Sequence, residues 1–240
     1  MIRIIPPTAA LSPSTPKPFK ALDGSAPYTY SVAADGIGGT IDVDGVYTAP
    51  LSKYGTDTIY AVDSLGSSAE ITVNVLSPLE LLCDVIKNQL DLDDSHVYIW
   101  DQKIPEPTDF SLYVVASMVS CKPFSNTIQM DGSGGGVSAI QSTNFLAQVQ
   151  IDIFSRGLDA MNRKEEVIMA LKSVYAEQQQ ELNSFYISSI PTGFTNTSNI
   201  DGAAIPYRFS ITVGLQYFIK KAQAVEYYDT FASPSLVTDS

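Results

Sequence analysis

The sequence predicts a multi-domain, β-rich chain. An all-β sandwich is expected over residues 1–77, an α+β domain with an antiparallel sheet flanked by helices over 78–222, and a C-terminal arm over 223–240. Three observations carry this. The 240 residues are too many for one small sandwich and comfortable for two compact domains. The first 77 residues hold short β-type runs separated by Gly, Pro, Asp and Ser, without a helical period. At Ser77-Pro78 the pattern changes to leucines at helical spacing.

In the first region, strands are expected at Tyr28 to Val32, Gly39 to Val43, Thr58 to Val62 and Ala69 to Val75. In the last, Ile71, Val73 and Val75 alternate with Thr72 and Asn74, which sends one face into a core and the other into water. Leu79, Leu82, Ile86 and Leu90 then form one stripe of an amphipathic helix. Val97 to Trp100 and Leu112 to Cys121 read as strands parted by Pro105-Glu106-Pro107, which cannot continue a ladder. Asp131 to Gly136 reads as a hairpin tip, because its glycines bring no side chains to pack. Asn144 to Ser155 and Tyr207 to Ile219 are long period-2 strands, and a helix is expected between them from Leu158 to Leu182. Tyr227, Tyr228 and Phe231 sit in the patternless final segment, an arm expected to order against a neighbouring subunit.

Composition narrows the function classes. Hydrophobic residues at 45% against 17% charged favour globular domains over wholesale disorder. A net charge of -12 opposes tight binding to phosphate backbones, where cations supply most of the affinity. It suits a conduit past which DNA slides. No run approaches the roughly 20 apolar residues that span a bilayer, so no membrane partner is expected. The N-terminal Met-Ile-Arg-Ile-Ile-Pro-Pro lacks a full signal-peptide core, so Sec-dependent secretion is not indicated. Cys83 and Cys121 form neither a disulfide framework nor a metal spacing and are expected as core thiols.

No catalytic, cofactor-binding or metal-ligating residue is assigned, and no cofactor is expected. His96 has no second histidine to complete a metal site, and no Gly-x-Ser-x-Gly elbow offers it a nucleophile; a turn role is expected. Asp42-Val43-Asp44-Gly45 opens like a calcium loop without the later ligands and reads better as a turn between strands. Asp91, Asp93 and Asp94 are candidates for an acidic cluster holding a cation, with closing the first helix and solvating a loop the stronger reading. Tyr98 and Trp100 are candidates for a sugar platform, with packing the stronger reading. The glycine-rich run lacks the Lys-Ser/Thr of a phosphate loop.

Gly39-Thr-Ile-Asp-Val-Asp-Gly-Val-Tyr-Thr-Ala-Pro50, with Gly55 to Gly66 and Ile71 to Val75, resembles bacterial immunoglobulin-like domains of the intimin and invasin type. The Gly-x-Tyr-Thr-Ala-Pro element carries this resemblance, which implies an immunoglobulin-like sandwich decorating a particle. Residues 79 to 220 are similar in layout to neck or tail terminator proteins of tailed phages. The shared features are a leading helix, Val97-Tyr-Ile-Trp100 before a Pro-containing loop, the strand Asn144 to Ser155, a helix bearing Arg163-Lys164-Glu165-Glu166, and the strand Tyr207 to Ile219.

That second resemblance implies a structural virion protein of the head–tail junction, assembled in the host cytoplasm and not an enzyme. It would form a homo-oligomeric ring, as a hexamer, that caps the tail tube. Its partners would be itself, the tail tube protein and head-completion or connector proteins, with the sheath protein as a further candidate. Genomic DNA would pass through the lumen without specific binding. Gln148, Gln150, Asp152 and the glycine-rich loop at 132–136 are candidates to line the lumen. The alternatives are a carbohydrate-binding adhesin module, or another tail tube, connector or baseplate subunit.

Overall fold

The computed structural model describes residues 2–99, 109–131, 138–198 and 207–224. The fold is mostly β, with several sheets and three helices. In chain order the elements begin with β1 (Arg3–Ile5), β2 (Ala9–Leu11), β3 (Pro16–Pro18), β4 (Lys20–Leu22), β5 (Thr29–Val32), β6 (Thr40–Ile41), β7 (Val46–Thr48), β8 (Gly55–Val62) and β9 (Ser68–Val75). They continue with α1 (Pro78–Leu90), a 3-10 turn (Asp94–His96), β10 (Val97–Ile99), β11 (Tyr113–Asp131), β12 (Ser138–Ser155), α2 (Asp159–Leu171), α3 (Val174–Asn183), β13 (Tyr186–Ser188), β14 (Thr195–Asn196) and β15 (Tyr207–Ala224).

The first nine strands form a four-stranded sheet, β2-β9-β8-β5, a three-stranded sheet, β3-β7-β6, and the β1-β4 pair. Their inward residues, including Leu11, Phe19, Tyr47, Ile59, Val73 and Val75, make one buried cluster. Three positions of the Gly-x-Tyr-Thr-Ala-Pro element have a physical reason. Gly45 has φ +81, and a Cβ there would stand 2.4 Å from the Phe19 carbonyl oxygen. Tyr47 is fully buried and donates its hydroxyl to Asp57 Oδ2 at 2.6 Å. Ala49 is buried beside it, where a larger side chain would have to displace its neighbours. Two of the expected strands, Tyr28 to Val32 and Ala69 to Val75, correspond closely to β5 and β9. The expected Gly39 to Val43 strand contracts to β6, because Asp42 turns the chain.

A second buried cluster joins α1, α2 and α3 to one face of the sheet β10-β11-β12-β15-β13, with β14 also paired to β15. Helix α1 begins at a capping box: the Ser77 hydroxyl accepts from the Glu80 N–H, and the Glu80 carboxylate accepts from the Ser77 N–H. Leu79, Leu82, Ile86 and Leu90 are buried, as their spacing predicts. The single helix expected from Leu158 to Leu182 is two. The chain straightens at Ser173 (φ -73, ψ 157), whose hydroxyl caps α3 by accepting from the Ala176 N–H at 3.0 Å.

The sheet also differs from the expected purely antiparallel one, since β10 pairs with β11 in parallel. Ile99 and Tyr113 are far enough apart in the sequence for the crossover that a parallel neighbour needs. Strand β11 runs on past Cys121 to Asp131, through Pro123. Proline is tolerated because the β10 pairing ends at Ala116, and among the described residues no ladder continues on the outer side of β11.

The two clusters touch through α3. Asn183, 2% exposed, accepts from the Ser12 N–H through Oδ1 at 2.7 Å, and its carbonyl accepts from the Ser12 hydroxyl at 2.8 Å. Leu182 packs against the first cluster, and Ala10 and Leu76 against the second.

Candidate functional site

The most distinctive surface is where three strands outrun their core. On the helix-covered face, β11 buries Val114 and Ala116, β12 buries Ala147, Val149, Ile151 and Ile153, and β15 buries Ile211, Val213 and Leu215. Cys121, Ala147 and Leu215 stand level in register, and this cluster ends there. Beyond them the ladder continues to Asp131, Ser138 and Ala224 as a three-stranded arm about 30 Å long. Phe124, Ile128 and Met130 are 62%, 61% and 62% exposed on it, and Ile219 is also exposed. Asp131 pairs with Ser138; the glycine-rich run expected as a hairpin tip lies between them, outside the described residues.

Cys121 corrects an expectation: it is exposed rather than a core thiol, because β11 has already left the core. Its sulfur lies 3.3 Å from the Tyr217 hydroxyl, and Tyr217 stacks on Phe145. Burial, then the Cys121 contact, pushes the Tyr217 phenol up. Cys83 is half-buried, its thiol pushed up to about 12 chiefly by burial and next by Glu80 and Asp84, so little thiolate forms at neutral pH.

On the opposite face of the sheet, Gln148 and Gln150 are half-buried, whereas Asp152 is enclosed. Its Oδ2 accepts from Arg208 Nη2 at 2.7 Å, its Oδ1 accepts from the Ser210 hydroxyl, and the Gln150 amide reaches both oxygens at 3.0 Å. These donors remove Asp152 from the surface residues able to line a lumen. A carboxylate with both oxygens engaged fastens β12 to β15.

His96 lies in the turn before β10, as expected. Its ring stacks on Tyr113 at 4.6 Å, and Tyr113 stacks in turn on Tyr98 and Phe154. Ser95 Oγ is 3.3 Å from His96 Nδ1, and Asp109 Oδ2 is 4.0 Å from Nε2, longer than a hydrogen bond. Asp109 instead accepts from the Tyr113 hydroxyl at 2.7 Å and from Ser111. The Tyr113 bond, ahead of those from Ser111, holds the Asp109 carboxyl below the usual range, while burial and then Asp109 push the Tyr113 phenol up. Tyr98 donates to the Ser95 carbonyl. It therefore belongs to this stack, and Trp100, its expected companion, lies outside the described residues.

The acidic runs have structural work of their own. Asp42 Oδ1 accepts from the N–H groups of Asp44 and Val46, which makes the expected turn. Asp91 closes α1 in the left-handed region at φ 52, with its N–H bonded to the Lys87 carbonyl, and Asp94 pairs with Lys87 at 2.9 Å. Sequence reasoning missed Asn183 and Asp57, since a single polar residue in a polar stretch gives no sign that it will be enclosed. Among the described residues, no helix is long and apolar enough to cross a membrane.

No protein-family model matches the chain, and no curated protein matches it significantly.

Proposed function

We propose that the chain is a structural subunit of the tailed-phage head–tail junction, a neck or tail terminator protein that closes into a ring and caps the tail tube. In this reading residues 1–77 are an immunoglobulin-like sandwich on the ring's exterior, 78–222 the ring domain, and 223–240 an arm against a neighbouring subunit. The arm of β11, β12 and β15 is the observation that supports it most. A long sheet with exposed Phe124, Ile128 and Met130 is an aggregation hazard unless another chain covers it. Proteins of closed assemblies carry such surfaces because symmetry covers them. The acidic charge suits a channel that DNA traverses without sticking.

Negative-stain electron microscopy of the purified chain at high concentration tests this. Closed rings, with the sandwich as peripheral knobs, are the expected result. A protein that stays monomeric at high concentration, alone and with its tail tube protein, would overturn the reading.

A carbohydrate-binding module is the second reading. An open groove of about 580 Å³ in the N-terminal region is lined by Pro6, Pro18, Phe19, Tyr28 and Tyr30, with Lys20 and Asp44 among its polar residues. Aromatic faces beside polar groups are what a sugar ring requires. Binding on a glycan array, lost on Tyr28→Ala, would favour it.

A further inference from the structure

Resting on the ring reading, one contact between copies can be taken to residues. Strands β11 and β15 flank β12 and both run antiparallel to it, so the two edges of the arm belong to strands of the same direction. Along β11, register shifts between Met118 and Ser120 and between Pro123 and Ser125, with Pro123 itself, break the regular edge. Bulges and prolines are devices that blunt an edge against pairing. From Ser125 to Asp131 they stop, and β11 is paired residue for residue with β12. On the far side, β15 is in regular register with β12 from Phe218 to Ala224, beyond the end of its β13 pairing at Gln216. Among the described residues, no strand pairs with the outer side of either segment.

We propose that Ser125–Asp131 of one copy pairs in parallel with Phe218–Ala224 of a second copy, so that the arms continue one sheet around the ring. Three features select this partner. Head-to-tail pairing uses both edges in a closed ring, whereas two-fold pairing of either edge with itself leaves the other bare. The β15 segment carries Lys220 and Lys221, whereas the β11 segment has no cation, so two β15 edges repel and a β15 edge against a β11 edge does not. Ile128 shares a face with Ile219 and lies two residues beyond it in the register of one arm, so continuing the sheet in that register sets it diagonally beside the neighbour's Ile219.

The test is disulfide trapping in the full chain carrying Cys121→Ser, with Thr127→Cys combined with Lys220→Cys or with Ala222→Cys. Within one copy these positions are separated by β12, about 10 Å apart, beyond disulfide reach. Mild oxidation is expected to give a ladder of cross-linked species ending at the ring size in at least one double variant, and none in the single variants. Electron microscopy of the same samples reports ring formation separately. Rings without a ladder in either double variant would overturn the pairing and leave the ring reading standing. A dimer from Thr127→Cys alone would show two-fold pairing and overturn it. Samples with neither rings nor a ladder would sink both. Thermal melts matching the parent protein establish that each variant is folded.

Discussion

Along β11, β12 and β15 the same three strands pass from a half pressed beneath helices to a half where most side chains of β11 stand in solvent. Both halves keep the ladder, but by different means. In the first, Val149, Ile151, Ile211 and Val213 bury one face against α1, α2 and α3, and hydrophobic burial dominates. In the second, Ser125, Asn126, Thr127, Gln141, Ser142 and Thr143 hold regular pairing with little to bury. There the backbone ladder and short cross-strand contacts, such as Thr143 and Gln141 bonding to Asn126, carry the structure. Strand pairing is thus separable from core formation, and the bare half is available for contact with other chains.

Truncating a buried side chain of the first half breaks the comparison most forcefully. Ile151→Ala, at a fully buried position, should cost about 2–5 kcal/mol in urea denaturation. Ile128→Ala on the arm should change monomer stability by no more than about 0.5 kcal/mol while weakening self-association. Equal costs at both positions would show that the arm is part of the core. Arg208→Ala should cost about 1–3 kcal/mol by leaving enclosed Asp152 without its cation, read in the same denaturation experiment. Ser173→Ala should cost about 1 kcal/mol and lower helicity by circular dichroism, because α3 loses its cap.

The smallest effect is a dependence on pH. In the turn from β8 to β9, Asp63 accepts from the N–H groups of Ser25, Leu65 and Ser67, with the Ser25 bond the leading cause of a carboxyl held below its usual value. A carboxylate with a folded pKa below its unfolded one contributes stability that is present above about pH 4 and is lost as pH falls through the folded value. Asp63→Asn should flatten that acid limb, while at neutral pH stability should fall modestly. An unchanged acid limb would show that this turn does not carry the linkage.

The heart of the fold was legible where period and chemistry agreed. The leucine stripe of α1, the alternation in β9, β12 and β15, and the Asp42 turn all stand as read. The span from Leu158 to Leu182 reads as one helix because its apolar stripe runs through Ser173, and one capping serine inside a helical period is a weak signal. The full reach of β11 was hidden by Pro123 and by a polar run that looks like a loop in isolation. Cys121 was misplaced for the same reason.

By itself the sequence determined which segments alternate, which spiral, and where glycine and aspartate turn the chain, because those follow from local sterics and spacing. Only the tertiary structure decided which polar residues would be enclosed, that β10 would run parallel to β11, and that three strands would outgrow their core. Those outcomes depend on partners distant in the chain: Arg208 encloses Asp152, Tyr47 meets Asp57, and β12 holds β11 and β15 in register well past the last residue the helices cover.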